Sequence, residues 1–505
     1  MLSPKPKSRL SNLNFYSPIF RVILHITQSK RHDKSCAHRI YKGELLTLNM
    51  DSRKTGIVNL EDLPETDWLY FNQKGIIKTV LDSIVQSHLY GTKNKCKALS
   101  KLTGFSYQFI SKLYLPSRDR IKIAHLKFLL SFLLLKKRKK FLSIFEKSVV
   151  RIGYQKSILN PLLPFNFNSK MGFKFLADLF TDGSLNSNFQ VTYANSNINF
   201  ILDNLDNTHK LLTGQQLKLS HEEYNNLVRL NPYEQERYMK ELIPKKTKVR
   251  IQFYTKEKVF KDKKTFVYQN YYPTFLGKIL FYSLRIPKGR RVYTNPKLPE
   301  FLFKKKSLLG FFMGNIFSNE GHVSSHGCGI THSIDVTEYT KNLDTQNLKN
   351  FLFKKKVHCA PNLLWDYKKI FYLLGCKKPS NPYVADCYTT TKKEIHAKWQ
   401  IYVGGQDIVT LLSKIDFDSS FRKKLQDYVN SVHIFKQSKE MRINQILNLG
   451  KKLQLNKGHF TVNDLCNKLN LEKSGIKKNI KRAREKGLIS INSYEGNTYC
   501  YVVGT

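Results

Sequence analysis

Acidic residues are scarce in this 505-residue sequence. Only 38 aspartates and glutamates stand against 85 lysines and arginines, which gives a formal net charge of +47. An excess of this size favours a polyanionic partner, nucleic acid before a membrane surface. The alternative is a solvated lysine-rich surface of the kind that an AT-rich genome encodes, since asparagine, lysine, phenylalanine and tyrosine are all abundant.

Long hydrophobic runs are also missing. The most apolar stretch, residues 128–135, is far shorter than the ~20 residues that a bilayer requires, and five basic residues follow it at 136–140. The sequence therefore predicts no membrane span and no membrane partner.

The eight cysteines form no CxxC pair. This spacing favours free thiols in a reducing compartment over a disulfide framework. A cluster of metal-ligating residues is present at His322, His326, Cys328 and His332. A zinc site is disfavoured there, because the cluster falls on predicted strands, where successive side chains point to opposite faces.

The first acid of the chain is Asp33, and arginine, serine and lysine are interspersed before it. This composition is typical of an organellar transit peptide, and the other interpretation is that translation begins at Met50. The expected location is therefore the cytoplasm or nucleoid, or a mitochondrion or plastid if the segment is a transit peptide.

Residues 98–113 predict a helix-turn-helix. Leu99 and Leu102 mark a first helix, residues 103–106 a turn, and Ser106 the N-cap of a second helix. That second helix is expected to expose Tyr107, Gln108, Ser111 and Lys112, which are able to touch bases or phosphates. The segment resembles phage-repressor-type domains, and an ordinary helical hairpin is the alternative.

The most informative feature is a nine-residue stretch and its weaker repeat. Residues 175–183 (FLADLFTDG) and 313–321 (MGNIFSNEG) are both apolar helical runs that end in an acid followed by glycine. Each glycine is predicted to stop its helix in the left-handed conformation. Asp182 and Glu320 then lie at helix C-termini, where the dipole disfavours a negative charge and a nearby cation is expected.

The chain after each motif predicts the same series of elements. After the first come strands at 189–194, 249–254 and 265–268 and helices at 196–212 and 272–284, with 215–247 expected as an insertion or long loop. After the second come strands at 322–325, 331–336, 383–390 and 398–403 and helices at 361–374, 406–412 and 421–432. The acids are 138 positions apart (320 minus 182), so a long-period duplication is predicted.

The last seventy residues predict a winged helix. Helices at 443–453, 462–469 and 473–486 precede two strands, 488–491 and 499–502, with a turn at 494–497. The third helix carries basic residues able to lie against phosphates: Lys477, Lys478, Lys481, Arg482 and Arg484. Winged helices also mediate protein contacts, so that alternative stays open.

With both motifs in place, residues 158–432 resemble the LAGLIDADG homing endonucleases in their single-chain, two-motif form. The segments before the motifs are similar too, at 158–164 (ILNPLLP), 286–289 (IPKG) and 298–301 (LPEF). The second motif departs from the family at three positions. Asn315 replaces a glycine that lets the helices cross closely, Ser318 a common acid, and Asn319 a small residue.

The resemblance implies an α+β fold in which two αββαββα units, related by a pseudo-twofold axis, form a saddle over DNA. The expected organisation is a basic extension without assigned structure at 1–70, a helix-turn-helix region at 71–157, the two units at 158–300 and 301–434, and the winged helix at 435–505. A monomer is expected.

The resemblance also implies a site. Asp182 and Glu320 would lie side by side as catalytic residues and, with Gly183 and Gly321, hold divalent cations, expected to be Mg²⁺. When two carboxylates lie so close together, ionisation of both costs free energy unless cations lie between them. Basic residues near the metal would support the attacking water, and Lys248 and Lys398 are the candidates. The expected readers of the DNA major groove are Gln190, Thr192, Arg250, Gln252, Thr389 and Gln400.

The predicted function is site-specific cleavage of double-stranded DNA. Two alternatives on the same fold stay open. One is a DNA-binding regulator that has lost the reaction, and the other is a maturase that binds intron RNA.

Overall fold

A computed structural model describes residues 50–153, 157–260, 263–324, 327–339, 345–354, 360–469, 473–495 and 498–504. Helices alternate with small antiparallel sheets, which confirms the α+β class. None of the helices in these ranges combines the length and apolar character needed to cross a membrane. The chain divides into two compact units, the first made of the chain up to Val150 with Leu163–Phe165 and Lys278–Arg285, the second of the remainder.

The first unit is mostly helical. Its described elements are α1 (Met50–Thr55), β1 (Ile57–Val58), a 3₁₀ turn (Leu60–Asp62), β2 (Trp68–Phe71), α2 (Ile76–His88), α3 (Lys95–Thr103), α4 (Tyr107–Tyr114), β3 (Arg120–Lys122), α5 (Ile123–Ser131) and α6 (Leu135–Ser148), with β4 (Val149–Ile152) beginning at its end. The elements between residues 50 and 71 fall where the sequence predicts none. The core includes the fully buried side chains of Leu69, Ile77, Leu81, Leu126 and Phe145.

The predicted helix-turn-helix is present as α3 and α4. Gly104 ends α3 with a φ of 74°, and the Ser106 side chain caps α4 by accepting a hydrogen bond from the Phe109 N–H at 3.2 Å. Leu99, Ile110 and Leu113 are buried, as an amphipathic pair requires. Of the four side chains expected on the surface, Ser111 is half-buried and the others are exposed: Tyr107, Gln108 and Lys112.

The first repeat belongs to the second unit except for Phe165 and residues 278–282. It begins with β5 (Ile158–Leu159) and β6 (Phe165–Asn166). The following elements are α7 (Lys170–Phe180), β7 (Gly183–Leu185), β8 (Val191–Asn195), α8 (Ile198–Thr213), α9 (His221–Arg229), α10 (Pro232–Lys246), β9 (Gln252–Phe260), β10 (Lys263–Tyr271) and α11 (Thr274–Tyr282). The sheet has the strand order β7-β8-β10-β9.

The second repeat follows two short helices, α12 (Arg291–Thr294) and α13 (Glu300–Lys304). It consists of α14 (Lys306–Glu320), β11 (Gly321–Ser324), β12 (Gly327–Asp335), a 3₁₀ turn (Thr337–Tyr339), α15 (Thr345–Lys354), α16 (Asn362–Leu373), β13 (Tyr383–Thr389), β14 (Ile395–Val403), α17 (Gln406–Lys414) and α18 (Ser419–Lys457). Its sheet has the order β11-β12-β14-β13, which is the order of the first sheet. Both repeats therefore consist of a helix, two strands, a helical segment and two further strands in the same order, with three helices in that segment of the first repeat and two in the second.

Of the two alternatives predicted for 215–247, the long loop is wrong, because the segment contains α9 and α10, and the insertion stays a prediction. Each helix starts with a capping box, Ser220 with Glu223 and Asn231 with Glu234. In a capping box the two side chains satisfy backbone N–H groups reciprocally at the helix start. The segment is highly charged, and only one residue of α9, Leu227, is buried. Its apolar pattern is therefore too weak to predict a helix.

The C-terminal elements are α19 (Val462–Leu469), α20 (Lys473–Glu485), β15 (Ile489–Glu495) and β16 (Thr498–Val503). The helices predicted at 421–432 and 443–453 are one continuous helix, α18, which also spans the predicted boundary at 434. The core of this module comprises Ile446, Phe460, Leu465, Ile476 and Ile480 with their neighbours. Residues 496 and 497 of the predicted turn lie outside the described residues.

Candidate functional site

The two motif helices, α7 and α14, pack against each other in the second unit. The Phe173 and Phe312 rings meet edge to face, with centroids 6.3 Å apart. Near the helix ends, the Asn319 side-chain amide donates a hydrogen bond to the Thr181 hydroxyl at 2.9 Å. Asn319, a departure from the family pattern, is therefore one of the residues that join the helices.

The two motif glycines do not adopt the predicted left-handed conformation. Gly321 has φ −77° and ψ 150°, and Gly183 has no positive φ. Both glycines are the first residues of strands. A Cβ on Gly183 would lie 2.5 Å from the Cα of Leu179, and one on Gly321 would lie 2.4 Å from the carbonyl oxygen of Phe317. Glycine is thus required because each strand turns back tightly over the last turn of its helix.

Asp182 lies between the end of α7 and the start of β7, half-buried. The Asn195 side-chain amide donates a hydrogen bond to its Oδ2 at 2.8 Å. Burial raises the pKa of Asp182 to about 6, and the nearby charge of Glu320 acts in the same direction, whereas the Asn195 and Arg291 contacts oppose it. A carboxylate in this state accepts a proton near neutral pH and gains from a compensating cation.

Glu320, the last residue of α14, is also half-buried, and the side chains of Arg291 and His332 approach it. Arg291 Nη1 lies 3.1 Å from its Oε1, and His332 Nδ1 lies 3.9 Å from its Oε2, an ion-pair contact longer than a hydrogen bond. Burial acts to raise the pKa of Glu320, but His332 and Arg291 outweigh it and hold the pKa below the ordinary value.

Arg291 also donates a hydrogen bond to the carbonyl oxygen of Phe180, the last residue of α7. A cation is stabilising at a helix C-terminus, where unpaired carbonyls carry partial negative charge. The cation expected beside the acids is thus supplied, for Glu320 and for the end of α7, by Arg291 of α12.

Asn195 and His332 occupy equivalent positions in the two repeats. Gly183 pairs with Tyr193 in the first sheet, and Gly321 pairs with Ile330 in the second. Asn195 and His332 therefore each lie two residues beyond the partner of the motif glycine. The equivalent side chains differ in chemistry, a neutral amide beside Asp182 and an imidazole beside Glu320, so the two half-sites are electrostatically unequal.

A cavity of about 430 Å³ lies at this point, lined by Gly183, Ser184, Arg290, Arg291, Val292, Glu320, Thr331, His332 and Ser333. Within the described residues, Glu320 Oε2 and His332 Nε2 are buried and have no hydrogen-bond partner. Buried polar atoms are normally paired, so these two are open positions for a ligand. Carboxylate oxygens are what Mg²⁺ prefers, and Glu320 supplies such an oxygen to the cavity, whereas Asp182 is not among the residues that line it.

Of the two predicted basic residues, one lies opposite a residue of the cavity lining and the other does not. Lys398 is exposed on β14 opposite Ser333, a residue that lines the cavity. Lys248 precedes β9, and its backbone bonds to His209 and to Leu159.

The register of the first sheet places Lys248 far from Asp182, the acid that it was expected to support. Asn195 pairs with Tyr268, which pairs with Thr255. Lys248 lies seven residues before that row (255 minus 248), about 20 Å along an extended chain. It is therefore at the far end of the sheet from Asp182.

The predicted DNA-contacting residues of the first sheet share one face. Thr192, Tyr271 and Gln252 form one cross-strand row and are half-buried or exposed, whereas the neighbouring row, Tyr193, Asn270 and Phe253, is buried. Directly opposed residues point to the same face, so Thr192 and Gln252 belong to the open face. Gln190 precedes β8 and is half-buried, and Arg250 precedes β9 and is exposed.

The second sheet separates two residues predicted to act together. Gln400 pairs with Thr331 and Tyr383 in a half-buried row. The register of β13 shifts between Val384 and Asp386, so that Thr389 pairs with Ile395. Ile395 is an odd number of residues from Gln400 on β14, and alternate residues of a strand point to opposite faces. Thr389 therefore lies on the opposite face of the sheet from Gln400, although it is exposed.

The basic residues of α20 lie on one surface of the C-terminal module. Its apolar positions, Ile476, Ile480 and Ala483, are buried. Lys477, Lys478, Lys481 and Arg484 are exposed, and Arg482 is half-buried.

Sequence reasoning did not identify Arg291, Asn195 or His332 as partners of the two acids. His332 was noticed only within a histidine–cysteine cluster, and His326 of that cluster lies outside the described residues. Within that cluster, His322 contacts the Tyr402 hydroxyl at 2.7 Å and Cys328 is buried. Neither residue spacing nor periodicity indicates that Arg291 contacts Glu320, because the two residues are 29 positions apart in the sequence.

No protein-family model matches the chain. Comparison with curated proteins finds no match either.

Proposed function

We propose that this protein is a divalent-metal-dependent endonuclease that cleaves double-stranded DNA, with a core of the LAGLIDADG type. The observation that carries the proposal is the pair of carboxylates, Asp182 and Glu320, at equivalent helix ends of two repeats. Each repeat has the same strand order, and the chain carries a net charge of +47.

In this proposal Asp182 and Glu320 hold the cation. When bound, a divalent cation lowers the pKa of water and stabilises charge on the phosphate oxygens. Asn195 orients the Asp182 carboxylate through its 2.8 Å hydrogen bond. Arg291 holds Glu320 and the end of α7 together, which keeps the two acids at a constant separation.

The open faces of the two sheets supply the DNA contacts. Thr192, Gln252 and Gln400 offer donors and acceptors for base edges, and Lys398 offers a positive charge for phosphate. The exposed lysines of α20 add phosphate contacts outside the core.

A DNA-binding regulator without catalysis is the second candidate, and one observation favours it. Arg291 already compensates the charge of Glu320, so a cation is less strongly required at that acid. The helix-turn-helix of the first unit suits this function as well.

The decisive experiment incubates the full-length protein with a pooled library of double-stranded DNA sites that includes the flanks of its own gene, in Mg²⁺ and in EDTA. Wild-type protein should cut a subset of sites only with Mg²⁺. Asp182→Asn and Glu320→Gln should reduce the cutting rate at least about 100-fold while DNA binding is retained.

Glu222→Gln is the matched control, because it removes one charge at an exposed position. Sites that are bound by the wild type and never cut would reject the enzyme and support the regulator. Selective binding of intron RNA, with faster splicing, would support a maturase instead.

A further inference from the structure

Three metal-ligating side chains meet in the C-terminal module, away from the carboxylate pair. They are His459, in the segment between α18 and α19, Glu495 at the end of β15, and Cys500 in β16. One ligand atom of each lies within 4.8 Å of the others.

The backbone explains why these residues converge. Phe460 and Tyr501 exchange two backbone hydrogen bonds, of 3.0 and 2.8 Å, so an isolated antiparallel bridge joins the segment that contains His459 to β16. In the hairpin, Glu495 pairs with Thr498. Thr498 and Cys500 are two residues apart on β16, so Glu495 and Cys500 share a face of the hairpin.

The chemistry of the three side chains is complementary. His459 Nε2 lies 3.4 Å from Glu495 Oε1. The thiol of Cys500 is fully buried and, within the described part of the chain, makes no disulfide. Imidazole nitrogen, thiolate sulfur and carboxylate oxygen are the three ligand types of Zn²⁺ in proteins. The carboxylate pair at Asp182 and Glu320 contains no sulfur and suits harder cations.

We propose that His459, Glu495 and Cys500 bind one Zn²⁺, with water as the fourth ligand, and that the ion fastens the β15–β16 hairpin to the segment before α19. Binding converts the Cys500 thiol to a thiolate and releases its proton to solvent. The proposal is independent of the nuclease activity.

Metal binding would restrain the hairpin that carries Tyr494 and Tyr499, two exposed aromatic side chains beside Glu495 and Cys500. The Phe460–Tyr501 bridge and one ion pair join the segment of His459 to the hairpin. Zn²⁺ should therefore raise the melting temperature of the wild-type protein.

The test is a Co²⁺ titration of the metal-free full-length protein, followed by absorption. Co²⁺ bound to a thiolate gives a near-ultraviolet charge-transfer band, which an all-oxygen site does not give. One equivalent of Co²⁺ should produce the band, and Zn²⁺ should abolish it by displacement. Cys500→Ser should eliminate the band, whereas Cys466→Ser, a half-buried cysteine of α19, should leave it unchanged.

Glu495→Gln is the second variant, because Glu495 is exposed and its replacement should not prevent folding even if Cys500→Ser does. Since loss of an outer-sphere partner alone costs about 10- to 100-fold in metal affinity, loss of this ligand should weaken Co²⁺ binding at least about tenfold. Absence of the band in the wild type, its survival in Cys500→Ser, or unchanged affinity in Glu495→Gln would overturn the proposal.

Discussion

At the scale of single residues, α7 carries a second carboxylate, Asp178, four positions before Asp182. Asp178 is buried, and the Asn204 side-chain amide donates a hydrogen bond to its Oδ2 at 2.8 Å. Burial raises the pKa of Asp178 to about 7. Asn204 is fixed in turn by the Tyr272 hydroxyl, 2.5 Å from its Oδ1. Asp178 is thus part of a buried polar network of the core.

This network predicts a pH-dependent stability. The pKa of Asp178 is raised on folding, so the folded state binds the extra proton. Its favourable contribution is complete below about pH 4 and is lost as pH rises through about 7. Asp178→Asn should remove this dependence and make the protein more stable than wild type at pH 8, by up to about 4 kcal/mol.

Urea denaturation at pH 5 and pH 8 measures the effect, with Asp427→Asn as the control at an exposed position of α18. If the free energy of unfolding rose from pH 5 to pH 8 by the same amount in the wild type and in both variants, this account of Asp178 would be contradicted.

Arg291 is the residue on which the electrostatics of the site depend most. Arg291→Gln leaves Glu320 half-buried without its cation and removes the donor to the Phe180 carbonyl. Loss of one partner of such a pair should lower the free energy of unfolding by about 2 kcal/mol in EDTA. Because the site then carries more negative charge, millimolar Mg²⁺ should restore part of the loss.

Thermal denaturation with and without Mg²⁺ tests this expectation. Arg229→Gln is the matched control, since Arg229 is an exposed arginine at the end of α9 and does not line the cavity. Equal losses in both variants, or no response of Arg291→Gln to Mg²⁺, would show that Arg291 does not compensate the charge of the carboxylates.

At the scale of elements, the sharp joint between helix and strand determines where each acid lies. The chain passes from α7 to β7, and from α14 to β11, with no loop longer than two residues. The strand then lies directly against the last helical turn. This geometry holds Asp182 and Glu320 on rigid elements, as a site that positions charged groups precisely requires.

Replacement of the glycine at either joint should therefore be costly. Gly183→Ala and Gly321→Ala place a methyl group against the backbone of Leu179 or Phe317. Overpacking of this kind should destabilise the protein by about 1–3 kcal/mol. Gly475→Ala is the control, because a Cβ there meets no atom within 4 Å and alanine favours the helix.

Denaturant unfolding of the three variants measures the change in the free energy of unfolding that each substitution causes. Gly475→Ala should be neutral or slightly stabilising. If Gly183→Ala were equally neutral, the close approach at the first joint would not constrain the fold.

At the scale of the whole molecule, the net charge of +47 makes one prediction that does not depend on the reaction. Binding to duplex DNA should weaken steeply with salt, because phosphate contacts release counterions. Lys477→Ala with Lys481→Ala should lower the slope of log K against log salt concentration by about 2. Lys451→Ala with Lys452→Ala, an exposed pair in α18, is the control.

Fluorescence anisotropy over a range of salt concentrations measures these slopes. A flat response of the wild type would reject a polyanionic partner. An equal change in both double variants would show that α20 does not contact phosphates preferentially.

Several parts of the fold were predictable because their signals are local. The 3.6-residue periodicity of α7 and α16 and the alternation in β14 are patterns of neighbouring residues. The helix-turn-helix was found for the same reason, through Ser106 and Gly104. The capping boxes of α9 and α10 are equally local, but the high charge of residues 215–247 favours a loop over helices.

The sequence by itself determined the position of the two acids at the ends of helices, the duplication of the elements around them and the excess of positive charge. Only the tertiary structure decided which side chains meet those acids. Arg291 stands 111 positions from Phe180 and 29 from Glu320, and the distinction between Asn195 and His332 depends on strand register. Burial and neighbouring charges set a pKa, and both are properties of the folded chain rather than of residue order.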